Sequence, residues 1–149
     1  AGADGLVLFT RLYQPDIDLV RLHWKNDVVL SGPAEIRLGL LWLSLLSGRL
    51  PRASLAASTG VETADEVLKY MLAGADAVMT TSALLRHGPG HLRDMLAHLE
   101  SWLGARGFDS IRAIKGLMRH THPDSDADSK ARGDYIRTLV SYRGPNAGW

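Results

Sequence analysis

The chain has 149 residues, 46% hydrophobic and 22% charged, a balance typical of one soluble globular domain or a piece of a larger one. Its formal net charge is +1, from 17 Lys and Arg spread along the chain against 16 Asp and Glu, so nucleic acid is not an expected partner. The chain contains no cysteine, which excludes a disulfide scaffold, a thiolate metal site and a cysteine nucleophile, and fits a reducing compartment such as the cytoplasm.

The first predicted element is a strand from Gly5 to Phe9, "GLVLF", whose continuous apolar run is typical of a strand buried on both faces of a parallel sheet. The chain reaches this strand without an initiator Met or a leader sequence, so we expect it to be part of a larger polypeptide. A connection of more than 20 residues follows, and loops of that length are usually functional.

Pro33 then opens a predicted helix, "PAEIRLGLLWLSLL", with Ser31 as a nearby cap. Its apolar part is much shorter than the roughly 20 residues needed to cross a bilayer. We therefore expect a buried helix and no membrane span.

The second unit is a predicted strand, "ASLAAS", followed by a turn and a helix. Thr63 is placed to cap that helix, Glu66 completes a capping box three residues later, and Gly74 ends the helix. The third unit begins with the predicted strand "DAVMTT" and continues into a helix from about residue 90 to 103. The positions expected to face the core on that helix are Leu92, Met95, Leu96, Leu99 and Leu103.

Three strands, each followed by a helix, predict an α/β fold with a parallel sheet and right-handed crossovers. From residue 108 the pattern changes to a short helix, a polar loop, a last helix, "DYIRTLVSY", and a tail. We therefore divide the chain into three βα units at residues 1–107 and a C-terminal helical extension with its tail at residues 108–149.

The second and third strands both end in small, hydroxyl-rich turns, Thr59-Gly60-Val61 and Thr80-Thr81-Ser82. At the carboxyl edge of a parallel sheet, such turns expose backbone N–H groups beside helix N-termini, an arrangement that binds phosphate, as in the phosphate site of many (β/α)8 barrels. The alternative is that the glycine only permits a tight turn and that the hydroxyl residues are ordinary caps.

Several long runs resemble one family, namely "GADGLVLFTRLYQPDIDL", "LSGPAEIRL", "SLAASTGVETADEVLKYMLAGADAVMTTSALLRHGP" and "DYIRTLVSY". They are similar to the flavin-binding barrels of the dihydroorotate dehydrogenase type, especially the dihydroorotate dehydrogenase-like proteins, over nearly the whole chain. The resemblance implies that the three units are about the sixth to eighth of a TIM (β/α)8 barrel, the C-terminal part of an FMN enzyme, with the N-terminal part of the barrel as partner.

The resemblance also implies the site residues. The FMN phosphate would rest on backbone N–H groups of the turns after strands seven and eight, and a Ser-Gly turn before the sixth helix would approach the flavin. These cofactor-binding positions are Ser31, Gly32, Thr59, Gly60, Val61, Thr81 and Ser82.

Two positions depart from the family pattern. Thr10 stands where the family often carries a substrate-binding Asn, and it offers a hydroxyl instead of an amide. Thr59-Gly60 replaces a common Gly-Gly pair, and Thr59 has less freedom to adopt a positive φ. A valine at Gly60 is expected to block close approach of a phosphate to the backbone.

The resemblance implies a flavin oxidoreductase acting on the CH–CH bond of a small dihydropyrimidine-type substrate in pyrimidine metabolism. In this family the base lies on a loop after an earlier strand, so we assign no catalytic residue here and expect the chain alone to be inactive. The alternative is a phosphate-binding (β/α) module without flavin, such as a sugar-phosphate module. Three parallel strands also leave two unpaired edges, which the rest of a barrel or a second copy of the chain would cover.

Other candidate sites are weaker. The loop at residues 120–128 contains alternating carboxylates, but the Gly and Glu that a Ca²⁺ loop needs are missing, so we expect a solvated loop and no metal site. We interpret His87 and His91 as surface or substrate-mouth residues, and Tyr13 as either a pocket residue or loop packing. Arg11 would meet an anionic substrate or pair with Asp16 or Asp18. The tryptophans interpreted as core or interface anchors are Trp24, Trp42 and Trp102.

Overall fold

A computed structural model describes residues 2–11, 14–119 and 141. The strands in this part of the chain are β1 (Gly5–Leu8), β2 (Asp16–Asp18), β3 (His23–Lys25), β4 (Ser54–Ala57) and β5 (Ala77–Val78). The helices are α1 (Ile36–Arg49), which follows a 3-10 turn at Pro33–Glu35, α2 (Ala64–Ala73), α3 (Ser82–His87), α4 (His91–Ala105) and α5 (Ile111–Ile114).

The main sheet is parallel, with strand order β1-β4-β5. It confirms the predicted α/β class with a parallel sheet, and the strands β1, β4 and β5 are each followed by a helix later in the chain. Leu8 of β1 lies opposite Ala57 of β4, which in turn lies opposite Val78 of β5. The carboxyl ends of the three strands therefore meet at one edge of the sheet.

The helices cover one face of this sheet. Leu55 and Ala57 of β4 are fully buried against the core that α1 and α2 build, whereas Val7 of β1 is 55% exposed. Successive side chains of a strand point to opposite faces, so Val7, Ala56 and Ala77, which share a register row, lie on the open face. The expectation that the first strand is buried on both faces is therefore wrong for the described part of the chain, because only one face has a covering layer.

The long connection after β1 contains an antiparallel hairpin, β2 with β3, that the sequence analysis missed. Asp18 forms its turn, since Oδ1 accepts hydrogen bonds from the backbone N–H groups of Val20 (2.8 Å) and Arg21 (3.0 Å). This turn contains no glycine, so the sequence lacks the glycine-containing turn that usually indicates a hairpin. Trp24 on β3 is 63% exposed, so it is not a core anchor here.

The 3-10 turn that leads into α1 begins as predicted at Pro33, but its cap differs from the prediction. Gly32 is the N-cap, and its N–H donates to the Glu35 carboxylate at 2.9 Å. Ser31, the predicted cap, has its hydroxyl directed to two other loops. The prediction of Ser31 as a helix cap is therefore wrong, because Gly32 is the N-cap and the Ser31 hydroxyl is engaged by Gly60 and Ser82.

The helix α2 confirms its predicted ends. The backbone N–H and hydroxyl of Thr63 both donate to the Glu66 carboxylate, at 2.9 and 2.8 Å, and Gly74 ends the helix at φ 113°. Burial alone would raise the pKa of Glu66, but these hydrogen bonds outweigh burial and hold the pKa below its ordinary value.

The helix α4 confirms only part of its predicted buried face. Met95 is buried, and Leu99 and Leu103 pack against the core, whereas Leu92 and Leu96 are about half exposed. The core therefore covers the line of Met95, Leu99 and Leu103, whereas Leu92 and Leu96 lie at its margin. Among the predicted anchors, Trp102 stacks on Phe108 with 6.1 Å between ring centroids, whereas Trp42 is 44% exposed.

No helix in the described ranges is long and apolar enough to cross a membrane. Tyr13, the acidic loop at residues 120–128 and the predicted last helix lie outside the described residues, so those predictions are not addressed by the structure.

At the opposite edge of the sheet, Asp76 joins two elements. Its carboxylate accepts the backbone N–H of Leu55 at 2.9 Å and pairs with the ammonium of Lys115. Burial acts to raise the pKa of Asp76, but the Lys115 and Leu55 contacts outweigh burial and lower it.

We therefore expect Asp76→Asn to lower the free energy of unfolding by about 1 kcal/mol at neutral pH, since the ion pair is partly exposed. A lowered folded-state pKa stabilises the protein above the ordinary Asp pKa of about 3.9, and this stabilisation is lost as the pH falls through the folded-state value. Urea unfolding from pH 7 to 3 should show the difference between the two proteins shrinking below about pH 4. A constant difference would contradict this role of the carboxylate.

Candidate functional site

A cleft of about 200 Å³ opens at the carboxyl edge of the main sheet. It brings together all but one of the predicted site positions. Its lining residues are Thr10, Arg11, Val29, Leu30, Ser31, Ser58, Thr59, Gly60, Val61, Met79, Thr80, Thr81 and Ser82. Gly32 is the exception, because it does not line the cleft and its N–H is engaged by Glu35.

Ser31 joins three loops of the cleft. Its hydroxyl oxygen accepts the backbone N–H of Gly60 at 3.2 Å and lies 3.0 Å from the Ser82 hydroxyl oxygen. The backbone N–H of Ser31 also donates to that Ser82 oxygen, at 3.2 Å. The two serines thus connect the loop before α1, the turn after β4 and the start of α3. Because Ser31 is buried, these hydrogen bonds form away from bulk water.

The backbone donors of the cleft fall into two groups. The N–H of Gly60 is already bonded to Ser31. The N–H groups of Thr59, Val61 and Thr81 have no hydrogen-bond acceptor within residues 2–11 and 14–119. Unpaired backbone donors in a cleft suit an anionic ligand such as phosphate, which accepts several N–H groups at once. The arrangement therefore fits a phosphate group, with Val61 and Thr81 as donors in place of Gly60.

The strand ends beside the cleft have strained backbones. Phe9, after β1, has φ 61°, and Thr59, after β4, has φ 76°, although neither is glycine. A positive φ is especially unfavourable for a β-branched residue. The Thr59 hydroxyl donates to the carbonyl of Phe9 at 2.6 Å, which ties the two turns together. The departure from Gly-Gly therefore leaves the turn in its positive-φ conformation, supported by a hydrogen bond that glycine could not make.

Tyr70 supports the same turn from behind. This residue of α2 is fully buried, and its hydroxyl donates to the carbonyls of Ser58 at 3.3 Å and Thr59 at 3.1 Å. Burial raises the pKa of Tyr70 to about 12, so the hydroxyl keeps its proton at neutral pH. The Thr80 hydroxyl adds a bond to the carbonyl of Val61 at 2.7 Å. The carbonyls of this turn are thus held by the protein, and the unpaired N–H groups remain as donors.

Gly60 is required for packing inside the protein. A Cβ atom at this position would lie 2.6 Å from Cγ2 of Ile36 and 2.9 Å from the carbonyl oxygen of Gly32. A side chain at position 60 would therefore clash with the start of α1 before it could contact a phosphate. Gly60→Val is for this reason an unsuitable test of phosphate approach, contrary to the expectation from sequence.

Arg86 on α3 binds the neighbouring loops. Its guanidinium donates to the carbonyls of Ser31 at 2.8 Å and Leu30 at 3.0 Å, and it pairs with the carboxylate of Glu62. The other oxygen of Glu62 lies 2.6 Å from Nε2 of His87. The His87 hydrogen bond, with the Arg86 charge, holds the pKa of Glu62 below its ordinary value.

The two histidines lie beside the cleft without lining it. His91 Nε2 is 2.8 Å from the Glu62 carbonyl oxygen, and the rings of His87 and His91 are 4.7 Å apart. Their contacts are with the turn that follows β4; His87 is exposed and His91 is half-buried, and a role at the substrate mouth stays a prediction.

Arg11 lines the cleft and pairs with Glu35 at 3.2 Å. The predicted pairing with Asp16 or Asp18 is therefore wrong, because those carboxylates serve their own hairpin: Asp16 accepts the N–H of Ile17 at 2.8 Å, and Asp18 forms the turn. Whether Arg11 meets an anionic substrate stays a prediction.

Three residues that hold the cleft in place were not predicted from the sequence: Tyr70, Glu62 and Arg86. Each acts through a partner far away in the sequence or through a backbone carbonyl, and neither kind of contact leaves a short motif. One signal was available: Gly39 inside α1 would bring a Cβ to 2.7 Å from the Tyr70 hydroxyl, and a glycine inside a helix often marks such a close approach.

The comparisons with known proteins agree with the resemblance seen in the sequence. No protein-family model matches the chain. It is 30% identical over 123 residues to dihydroorotate dehydrogenase B (NAD(+)), catalytic subunit, of Trichlorobacter lovleyi, a match that covers 79% of this chain and 39% of that protein. It is 35% identical over 122 residues to a putative dihydroorotate dehydrogenase A (fumarate) of Aeropyrum pernix, with coverages of 78% and 39%.

The fold agrees as well. A crystal structure of DHODH from Eimeria tenella superposes with a TM-score of 0.63 at 23% identity, over 79% of this chain and 32% of that chain. The chain thus spans about two fifths of the curated relatives it matches. The names of these two relatives differ in the compound given in parentheses, NAD(+) in one and fumarate in the other.

Proposed function

We propose, since this chain is dihydroorotate dehydrogenase-like, that it is the FMN-phosphate-binding part of a flavin oxidoreductase acting on the CH–CH bond of a dihydropyrimidine-type substrate. One observation carries the proposal. The N–H groups of Thr59, Val61 and Thr81, which have no acceptor among the described residues, border a cleft at the carboxyl ends of adjacent parallel strands, where such sheets bind phosphate.

We propose further that residues 1–107 form about the last three βα units of a TIM (β/α)8 barrel, and that residues 108–149 form a C-terminal extension. The helices on a single face support this, because a barrel wall carries its helices outside and a filled interior inside. The open face with Val7, Ala56 and Ala77 would then meet the rest of the barrel, which is the proposed partner.

The residues of this chain would bind and orient the cofactor. FMN, when bound, supplies the hydride-transfer chemistry. Val61 and Thr81 would hold its phosphate through their N–H groups, while the Ser31–Ser82 pair keeps the two turns in register. Thr10, at the mouth of the same cleft, would contact the substrate through its hydroxyl. We place the catalytic base in the part of the barrel that this chain does not include.

A second candidate function is a phosphate-binding module that takes a sugar phosphate and no flavin. The size of the cleft favours it, because about 200 Å³ is below the usual range of small-molecule pockets, roughly 300–1,000 Å³. In the first proposal, the missing barrel strands supply the remaining volume for the flavin ring.

Titration of the full-length protein with FMN, riboflavin and ribose 5-phosphate separates the two functions. We expect FMN to bind, with changed visible absorption and quenched fluorescence, and riboflavin to bind at least about tenfold more weakly, because it lacks the phosphate. Equal affinity for FMN and riboflavin would contradict a phosphate cradle. The second function would be established if ribose 5-phosphate bound and FMN did not, both in this chain and in the full-length protein.

A further inference from the structure

We infer that Arg86 is the positioning residue of the cofactor cleft: it holds the Ser31 loop in the place from which Ser31 organises the phosphate-binding turns. The inference rests on the proposed function for its ligand, and on the described contacts for its geometry. Arg86 itself does not line the cleft.

Arg86 makes contacts that only a guanidinium can make together. Nη1 donates to the Ser31 carbonyl and Nη2 to the Leu30 carbonyl, at 2.8 and 3.0 Å, while Glu62 pairs with the same group. A planar group with several fixed donors can serve two adjacent carbonyls and a carboxylate at once, whereas the ammonium of lysine is a point charge. This geometry predicts that lysine cannot replace Arg86.

These contacts connect the two turns that carry the proposed phosphate donors. Arg86 lies on the same helix, α3, as Ser82, and Glu62 lies in the same turn after β4 as Gly60. Ser31 is bonded to Arg86 through its carbonyl and to Gly60 and Ser82 through its hydroxyl. The loop before α1, the turn after β4 and α3 therefore form a closed ring of hydrogen bonds.

Glu62 keeps the guanidinium in place. One of its oxygens pairs with Arg86 and the other with His87, so the carboxylate is held from two sides. Glu62→Gln should weaken the ion pair and leave the bonds from Arg86 to the two carbonyls, which makes it an intermediate variant.

Phosphate binding would depend on this ring of hydrogen bonds, because the proposed N–H donors of Thr59, Val61 and Thr81 lie on the segments that the ring connects. Release of Ser31 would free the turn at residues 59–61 and the start of α3 to move independently, and separated donors bind one phosphate more weakly. Loss of hydrogen bonds from a charged donor typically changes an equilibrium by a factor of ten or more. We expect the Kd for FMN to rise about tenfold in Arg86→Gln.

The experiment compares the full-length protein with its Arg86→Gln, Arg86→Lys and Glu62→Gln variants and with the control Arg93→Gln, which alters an exposed arginine of α4. The Kd for FMN is measured by fluorescence quenching, and amide hydrogen exchange is followed by mass spectrometry without ligand. We expect faster exchange in peptides covering residues 28–35 and 58–63 for both Arg86 variants. Peptides of α2 should be unchanged, which separates local release from unfolding.

Two results would overturn the inference: unchanged exchange in those peptides, or full retention of both exchange and FMN affinity in Arg86→Lys. The proposed function fails separately, if the wild-type full-length protein does not bind FMN. In that case the exchange measurement alone still decides whether Arg86 positions the cleft.

Discussion

Replacing Gly60 with alanine is expected to lower the free energy of unfolding by about 3 kcal/mol, the largest effect of any single methyl group in this site. Gly60 has φ 75°, which disfavours any side chain, and the new Cβ would lie 2.6 Å from Cγ2 of Ile36. Either the turn must open or the start of α1 must move. Chemical denaturation followed by circular dichroism would measure the loss.

Gly32→Ala is the matched control for Gly60→Ala. Gly32 has φ −128°, which any residue adopts, and a Cβ there would meet no atom within 4 Å. We expect its free energy of unfolding to fall by less than about 1 kcal/mol, because alanine at this N-cap position is poorer than glycine but meets no atom. If Gly60→Ala were as stable as this control, the packing of the phosphate turn against α1 would be wrong. The FMN affinity of Gly60→Ala has to be corrected for the fraction of protein that is folded, because the new Cβ clashes with the protein itself and not with the ligand.

Removing the hydroxyl of Tyr70, in Tyr70→Phe, is expected to lower the free energy of unfolding by about 2 kcal/mol. The Ser58 and Thr59 carbonyls lose their common donor, and Thr59 is already at a positive φ. The pKa of Tyr70, raised to about 12, means that the loss should be the same from pH 6 to pH 9. Urea unfolding at several pH values would test both the size and the pH independence of the effect.

A double-mutant cycle that combines Tyr70→Phe with Gly39→Ala tests whether the Tyr70 hydroxyl lies between α1 and the turn. In the wild-type background a Cβ at Gly39 would lie 2.7 Å from the Tyr70 hydroxyl oxygen, so Gly39→Ala must displace it. In the Tyr70→Phe background that atom is gone, and the cost of Gly39→Ala should fall. Additive costs would mean that the hydroxyl does not lie between α1 and the turn.

The sequence predicted what depends on neighbours along the chain. The ends of α2 followed from Thr63, Glu66 and Gly74, because a capping box and a left-handed glycine act within a few residues. The three βα units followed from short apolar runs alternating with helical patterns, and so did the parallel sheet. The polar positions at the strand ends were predicted because parallel strands bring their carboxyl ends to one edge.

The predictions that failed concerned covering layers and partners. Three apolar residues that were expected to be buried are exposed: Val7, Leu92 and Leu96. The apolar pattern indicates which side chains favour burial, but it does not show whether this chain contains the elements that would pack against them. Ser31 was expected to cap its own helix, and Arg11 to pair within its loop. Both residues instead bind the groups that the fold places beside them.

The amino-acid sequence was sufficient to indicate the α/β class, the capped ends of α2, the likeness to dihydroorotate dehydrogenases and many of the polar residues that line one cleft. The tertiary structure was needed to show how that cleft is held. Ser31 meets Ser82 across 51 positions, and Arg86 meets Leu30 across 56. Hydrogen bonds over such distances depend on the packing of α1 and α3 on the same edge of the sheet, and no local spacing of residues encodes that packing.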